Sequence, residues 1–253
     1  MTEAEWLAAT DPWALFDYLG DRIPERKAAL YVCGGLRVIW DRWLYHDSSR
    51  RAVEVAERWA DGQATADELG HAVYRAEVPT FGFDFESVFS RQRRRSMHGE
   101  FRVRHIKGID PNEYDMDADD TPKQAPLGDP EKALQLVNAA HIAYHGLHIH
   151  HRGLDDHLFD HLSQQADWPG GWLVRDIFDN PFRPVAFDPA WRSEAAVSLA
   201  TGIYADRAFD RMPILADALE EAGCDHPDVL AHCRGPGPHV RGCWVVDLVL
   251  GKQ

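Results

Sequence analysis

Arg211-Met212-Pro213-Ile214-Leu215-Ala216-Asp217-Ala218-Leu219-Glu220-Glu221-Ala222-Gly223 decides the fold class. Ile214, Leu215, Ala218, Leu219 and Ala222 recur at helical spacing and predict one apolar stripe facing a core. Gly223 follows the last of them, where a left-handed residue ends a helix most easily. The same pattern extends outward from this segment. Asp225 is an expected cap for a short helix through Val229 and Leu230. Ser193 to Tyr204 is amphipathic. Trp244 to Leu250 is apolar with four-residue spacing, which favours helix over buried strand. A helix near Trp172 to Asp179 must stop before Pro181, because the residue preceding a proline avoids helical geometry. Asp188-Pro189 starts a short turn.

The first third has the same character. Thr2 with Glu5, and Thr65 with Glu68, have the spacing of capping boxes. Asp11-Pro12 pairs an N-cap with a first-turn proline. A long helix is expected from Arg26 to Leu44, with Cys33, Leu36, Trp40 and Trp43 on one face. Gly34-Gly35 inside it either weakens the helix or admits a close neighbour. Ala52, Val55, Ala56 and Trp59 form a second stripe, and Gly62 ends it. Phe81, Phe83 and Phe85, then Phe101 and Val103, alternate with other residues and predict a short β-ribbon. The acidic stretch 110–128 reads as a loop, and Asp129-Pro130 restarts helix. The expected protein is therefore mainly α. It has a helical N-terminal unit (1–77), an insert with β-ribbon and acidic loop (78–128), and a helical C-terminal unit (129–253).

Bulk properties narrow the function classes. At 253 residues the chain can form one large or two small domains without cross-links. A hydrophobic fraction of 45% with 11% aromatics excludes a disordered chain. The formal net charge of −14 disfavours nucleic acid as a general partner. No apolar run is long enough to span a membrane, and Glu3, Glu5 and Trp6 stand where a secretion signal would carry lysines. Four cysteines are too few for a disulfide framework. A soluble, cytoplasmic protein with reduced thiols is expected.

The ending combines Arg175-Asp176-Ile177-Phe178, Asn180-Pro181-Phe182-Arg183-Pro184-Val185, Arg207-Ala208-Phe209-Asp210-Arg211 and His232-Cys233-Arg234-Gly235-Pro236-Gly237-Pro238-His239-Val240-Arg241-Gly242-Cys243-Trp244. With the opening Met1-Thr2-Glu3-Ala4-Glu5-Trp6-Leu7, it resembles a family of bacterial proteins that share both ends and vary in the middle. The resemblance implies no activity, cofactor or partner.

Three constellations can carry chemistry. Seven of the 14 histidines fall between His141 and His161. His141, His145 and His148 share one helical face, and His157 and His161 share another. Neutral imidazoles four apart can clamp a zinc, nickel or copper ion, with Asp155, Asp156 and Asp160 completing or orienting the shell. Alternatively they only bond backbone and water. The second set is Cys224, His226, His232, Cys233, His239 and Cys243. Cys233, His239 and Cys243 are its zinc candidates, with His239 and Cys243 aligned if that stretch is helical. No Cys-x-x-Cys pair supports them, so buried cysteines acting as small apolar residues are the alternative. The third set is basic: Arg91, Arg93, Arg94, Arg95, Arg102, Arg104 and Lys107, beside phenylalanines, in the manner of a single-strand nucleic-acid groove. The acidic residues after it can neutralise it instead. Gly235-Pro236-Gly237-Pro238 is a rigid turn rather than a phosphate loop, since its prolines remove the amides such a loop needs. Arg183, Arg207 and Arg211 can hold an anion, or simply lock helix ends.

No nucleophile elbow, Walker loop, zinc-protease motif or dinucleotide fingerprint is present. No residue is assigned a catalytic role. The leading expectation is a non-enzymatic helical scaffold or interaction module with a protein partner. A metal-binding protein or metal-dependent hydrolase using the His141–His161 cluster is the second, and a single-strand nucleic-acid binder through Arg91–Lys107 the third.

Overall fold

The computed structural model describes residues 1–38, 40–43, 47–72, 75–76 and 170–252. These are mainly helical, with no strand among the described residues. In chain order the α-helices are α1 (Glu3–Ala8), α2 (Pro12–Leu19), α3 (Glu25–Val38), α4 (Trp40–Trp43), α5 (Asp47–Ala60), α6 (Gly171–Phe178), α7 (Glu194–Asp206), α8 (Met212–Glu221), α9 (Pro227–Arg234) and α10 (Trp244–Leu250). Residues 66–72 are helical as well. The β-ribbon, the acidic loop and the helix start at Asp129-Pro130 lie outside the described residues. The chain divides into two compact units, residues 1–38 with 147–253 and residues 39–146. No helix among the described residues is long and apolar enough to cross a membrane.

In the smaller unit, α5 buries Ala52, Val53, Val55 and Ala56, close to the expected stripe. Gly62, at φ +69°, closes the following turn. The second capping box forms as its spacing requires. Thr65 N donates to Glu68 Oε2 at 2.8 Å, and Glu68 N donates to Thr65 Oγ1 at 3.1 Å.

The larger unit carries the candidate site. Its N-terminal helices start on their own side chains. Thr2 and Glu5 bond reciprocally, and Asp11 Oδ1 accepts from Trp13 N at 3.0 Å. Trp6, Leu15, Leu30, Tyr31 and Leu36 are fully buried. Phe16 meets the Tyr31 and Phe178 rings edge-on at 4.7 and 5.8 Å. Behind them, α7 to α10 close on a second apolar cluster around Ile203, Met212, Leu215, Leu219, Trp244 and Val245.

The segment 211–223 is helical, but its buried face differs from the expected stripe. Met212, Leu215, Ala216 and Leu219 face the core, whereas Ile214 is 56% exposed. Met212 supplies the first position of an i, i+3, i+4, i+7 series, and Ile214 falls outside that arc. Similarly, α9 starts on His226 as N-cap with Pro227 in its first turn, one position beyond Asp225.

α6 is held by two neighbours. Its N-terminus abuts the chain after α1, where Gly171 N donates to Thr10 O at 2.7 Å. A Cβ on Gly171 would lie 2.2 Å from Ala9 O, so only glycine permits this approach. Arg175 then donates to Trp6 O and Ala9 O at 3.1 and 2.9 Å, occupying orphan carbonyls of α1. On its other side α6 packs on α3. Gly34 is the close-approach glycine of that pair: a Cβ there would meet Val240 Cγ2 at 3.0 Å and Leu173 Cδ1 at 3.3 Å.

α3 is also fastened to α10. Arg26 donates to both carboxylate oxygens of Asp247 at 2.7 and 3.0 Å and to Tyr204 Oη at 2.9 Å. Asp247 is 2% exposed. A bidentate pair at this depth is costly to break from one side, because a buried charge is left behind.

Two expectations follow for urea unfolding of the full chain. Gly171→Ala forces a shift of backbone against backbone and lowers stability by about 2–3 kcal/mol, the scale of overpacking. Arg26→Met strands the Asp247 carboxylate and costs about 3 kcal/mol or more, and adding Asp247→Leu recovers most of that loss.

Candidate metal centre

The site is built from four side chains on four parts of the larger unit. Asp176 lies on the core face of α6, His232 in the last turn of α9, His239 in the loop between α9 and α10, and Cys243 at the N-cap of α10. One ligand atom from each falls within 4.8 Å of every other. His239 and Cys243 meet, but not through the helical alignment expected for them. The chain from Pro236 to Val240 is not helical, since Pro236 and Pro238 lack the amides a helix would use. Asp176 orders the loop instead. Its Oδ2 accepts Val240 N at 3.0 Å, and its Oδ1 accepts His239 Nδ1 at 2.6 Å.

Trp244 fixes the hydrogen positions. An indole N–H only donates, and Trp244 Nε1 lies 3.1 Å from His232 Nδ1. His232 Nδ1 therefore accepts, and the ring proton sits on Nε2. That nitrogen lies 3.2 Å from both Asp176 Oδ1 and Cys243 Sγ. The contact with Asp176 is thus a hydrogen bond rather than an ion pair. His239 carries its proton on Nδ1, facing Asp176. Its Nε2 is buried without a partner.

Burial pushes the Asp176 carboxyl up, but hydrogen bonds from His232 and His239 outweigh it and hold the group below its ordinary range. Asp176 is a buried carboxylate satisfied by three donors. The thiols behave in the opposite way. Burial, with Asp176 adding to it, raises Cys243 well above the usual thiol range. Burial likewise pushes Cys233 up to about 12. Both are protonated thiols, so neither is a nucleophile in this form. A coordinated metal reverses this preference, because a bound thiol ionises outright.

Cys233 lies outside the four-residue group, in the apolar cluster with Cys224. His226 caps α9. Among the anion candidates, Arg183 bonds Glu3 Oε1 at 2.6 Å and faces Asp228 at 3.4 Å. The histidines His141, His145, His148, His157 and His161, and the basic run Arg91 to Lys107, lie outside the described residues. Asp176 is the member of this group that was no candidate in the sequence. Its signal was a carboxylate three residues after Leu173 on an apolar helical face, where a buried partner is required.

Two charged groups flank the centre. Lys27 Nζ donates to Ile177 O at 2.8 Å, and burial lowers its pKa. Asp179, just past α6, sits at φ 62°, ψ −169°, a region that side chains strain to adopt. Burial raises its carboxyl from the ordinary 3.8 to about 6.

No family model, curated protein or solved structure matches this chain.

Asp179 yields a pH-dependent expectation. Its folded-state pKa is raised, so its contribution to stability is full below the unfolded value and lost as pH rises through about 6. Asp179→Gly removes both strain and buried charge. Chemical denaturation should show a gain of about 1–2 kcal/mol near neutral pH, and a smaller gain at about pH 4.5.

Proposed function

We propose that this is a zinc-binding helical protein whose metal is structural, making the larger unit a non-enzymatic scaffold. The observation that carries the reading is the mutual approach of Asp176, His232, His239 and Cys243. One carboxylate, two imidazoles and one thiol form a donor set suited to zinc. Tetrahedral zinc places such atoms about 3.3–3.7 Å apart. Four of the pairwise contacts, 2.6, 3.2, 3.2 and 3.9 Å, bracket that spacing, and all the ligand atoms lie within 4.8 Å of one another.

The structural role follows from the ligand count. Four protein ligands fill a tetrahedral shell and leave no position for a substrate or activated water. Asp176 and Cys243 are also buried. The ion would cross-link α6 to the loop and helix ends of the C-terminal segment, a platform suited to a protein partner. The absence of a disulfide among the four buried cysteines fits a reducing compartment such as the cytoplasm.

Elemental analysis of the purified full chain tests this. One zinc per chain is expected, with its loss in Asp176→Ala and Cys243→Ser and its retention in His145→Ala/His148→Ala. Free zinc at a hundredfold excess over Kd should stabilise the protein by about 2.7 kcal/mol, and EDTA should remove that gain. Zinc uptake that survives loss of both Asp176 and Cys243 would place the metal elsewhere, and no uptake would end the reading.

A further inference from the structure

The two imidazoles of this centre lack the outer partners that zinc-ligating histidines usually have. A zinc-ligating histidine normally donates its other ring N–H to a carbonyl, carboxylate or water. For His232, the nitrogen aimed at Asp176 and Cys243 is Nε2, each 3.2 Å away. Metal at this point needs the Nε2 lone pair, so the ring proton must move to Nδ1. There it meets the Trp244 indole N–H, whose nitrogen is 3.1 Å away. Two donors then face each other at hydrogen-bonding distance with no acceptor between them. His239 repeats the mismatch. Its Nδ1 proton must leave Asp176 for Nε2, which has no partner in a side chain only 7% exposed.

The metal-free arrangement satisfies Trp244 and Asp176, and leaves only the His239 Nε2 lone pair without a partner. The Trp244 donor has an acceptor, and Asp176 has three donors. Trp244 is also the first residue of α10 and is 4% exposed within the C-terminal apolar cluster. It cannot leave His232 without repacking that cluster.

We propose that the Trp244 indole and a zinc ion compete for His232, so the centre is a metal-responsive switch that loads reversibly and moves the start of α10 when it does. This rests on the zinc reading above and adds its regulation. Metal binding breaks the indole–imidazole hydrogen bond, and metal removal restores it.

The test uses the full-length protein labelled with nitrogen-15 and titrated with zinc chloride. The chain has nine tryptophans, and the Trp244 indole resonance is the one missing from Trp244→Phe. That resonance should shift saturably at one equivalent of zinc and return with EDTA. Trp244→Phe removes the competing donor and should bind zinc ~5- to 10-fold tighter in chelator competition, the scale of one hydrogen bond. Should Trp244→Phe fail to fold, the ring nitrogens of His232 in the wild-type protein report the same event. Nδ1 must change from unprotonated to protonated as zinc binds. Stoichiometric zinc with an unmoved indole, unchanged His232 nitrogens and unaltered Trp244→Phe affinity would overturn the competition and leave the zinc reading standing. Zinc that EDTA cannot extract from the native protein would also overturn it. If neither protein takes up zinc, both readings fall together.

Discussion

The buried carboxylate of Asp176 is the constraint on which the larger unit depends. A carboxylate in a core is costly unless each lone pair is used. Here it draws His239, the Val240 amide and His232 onto one point of α6. The loop 235–243 has no regular structure of its own, so its path is set by what Asp176 demands. Once the loop is placed, Val240 reaches Gly34 of α3 and Cys243 reaches the start of α10. A single charged group thereby connects the N-terminal helices to the C-terminal apolar cluster.

Around that point the arginines act as fasteners between elements. Arg175 closes the carbonyls of α1, Arg192 donates to Leu248 O at 2.9 Å, and Arg241 to Ala205 O at 2.9 Å. Each satisfies backbone acceptors that a helix leaves unpaired at its end. Arg175 stands one turn before Asp179 in the sequence, yet it bonds the carbonyls of α1. A guanidinium with five donors satisfies two carbonyls better than one strained, half-buried carboxyl.

Local features were legible in the sequence because they depend on neighbours within a turn or two. The capping boxes at Thr2 and Thr65, the Asp11-Pro12 start and helical 244–250 are of this kind. The buried face of α8 was read one residue out of phase, since Ile214 is more apolar than Ala216 yet points to solvent. Periodicity ranks residues by type, whereas packing ranks them by direction. The candidate metal centre was half legible. His239 and Cys243 are close in sequence and drew attention, but Asp176 is 63 positions from His239. Only the tertiary fold joins them. Cys233 drew the same attention for its chemistry and packs as an apolar side chain.

The clamp between Arg26 and Asp247 spans 221 positions of the chain. Contacts of such separation slow folding, since a long loop must close before they form. During synthesis the first three helices emerge with apolar faces whose partners, α6 and α10, are not yet made. The larger unit therefore cannot complete its core until α10 has been synthesised. Before then, the exposed surface of α3 is a natural target for chaperones.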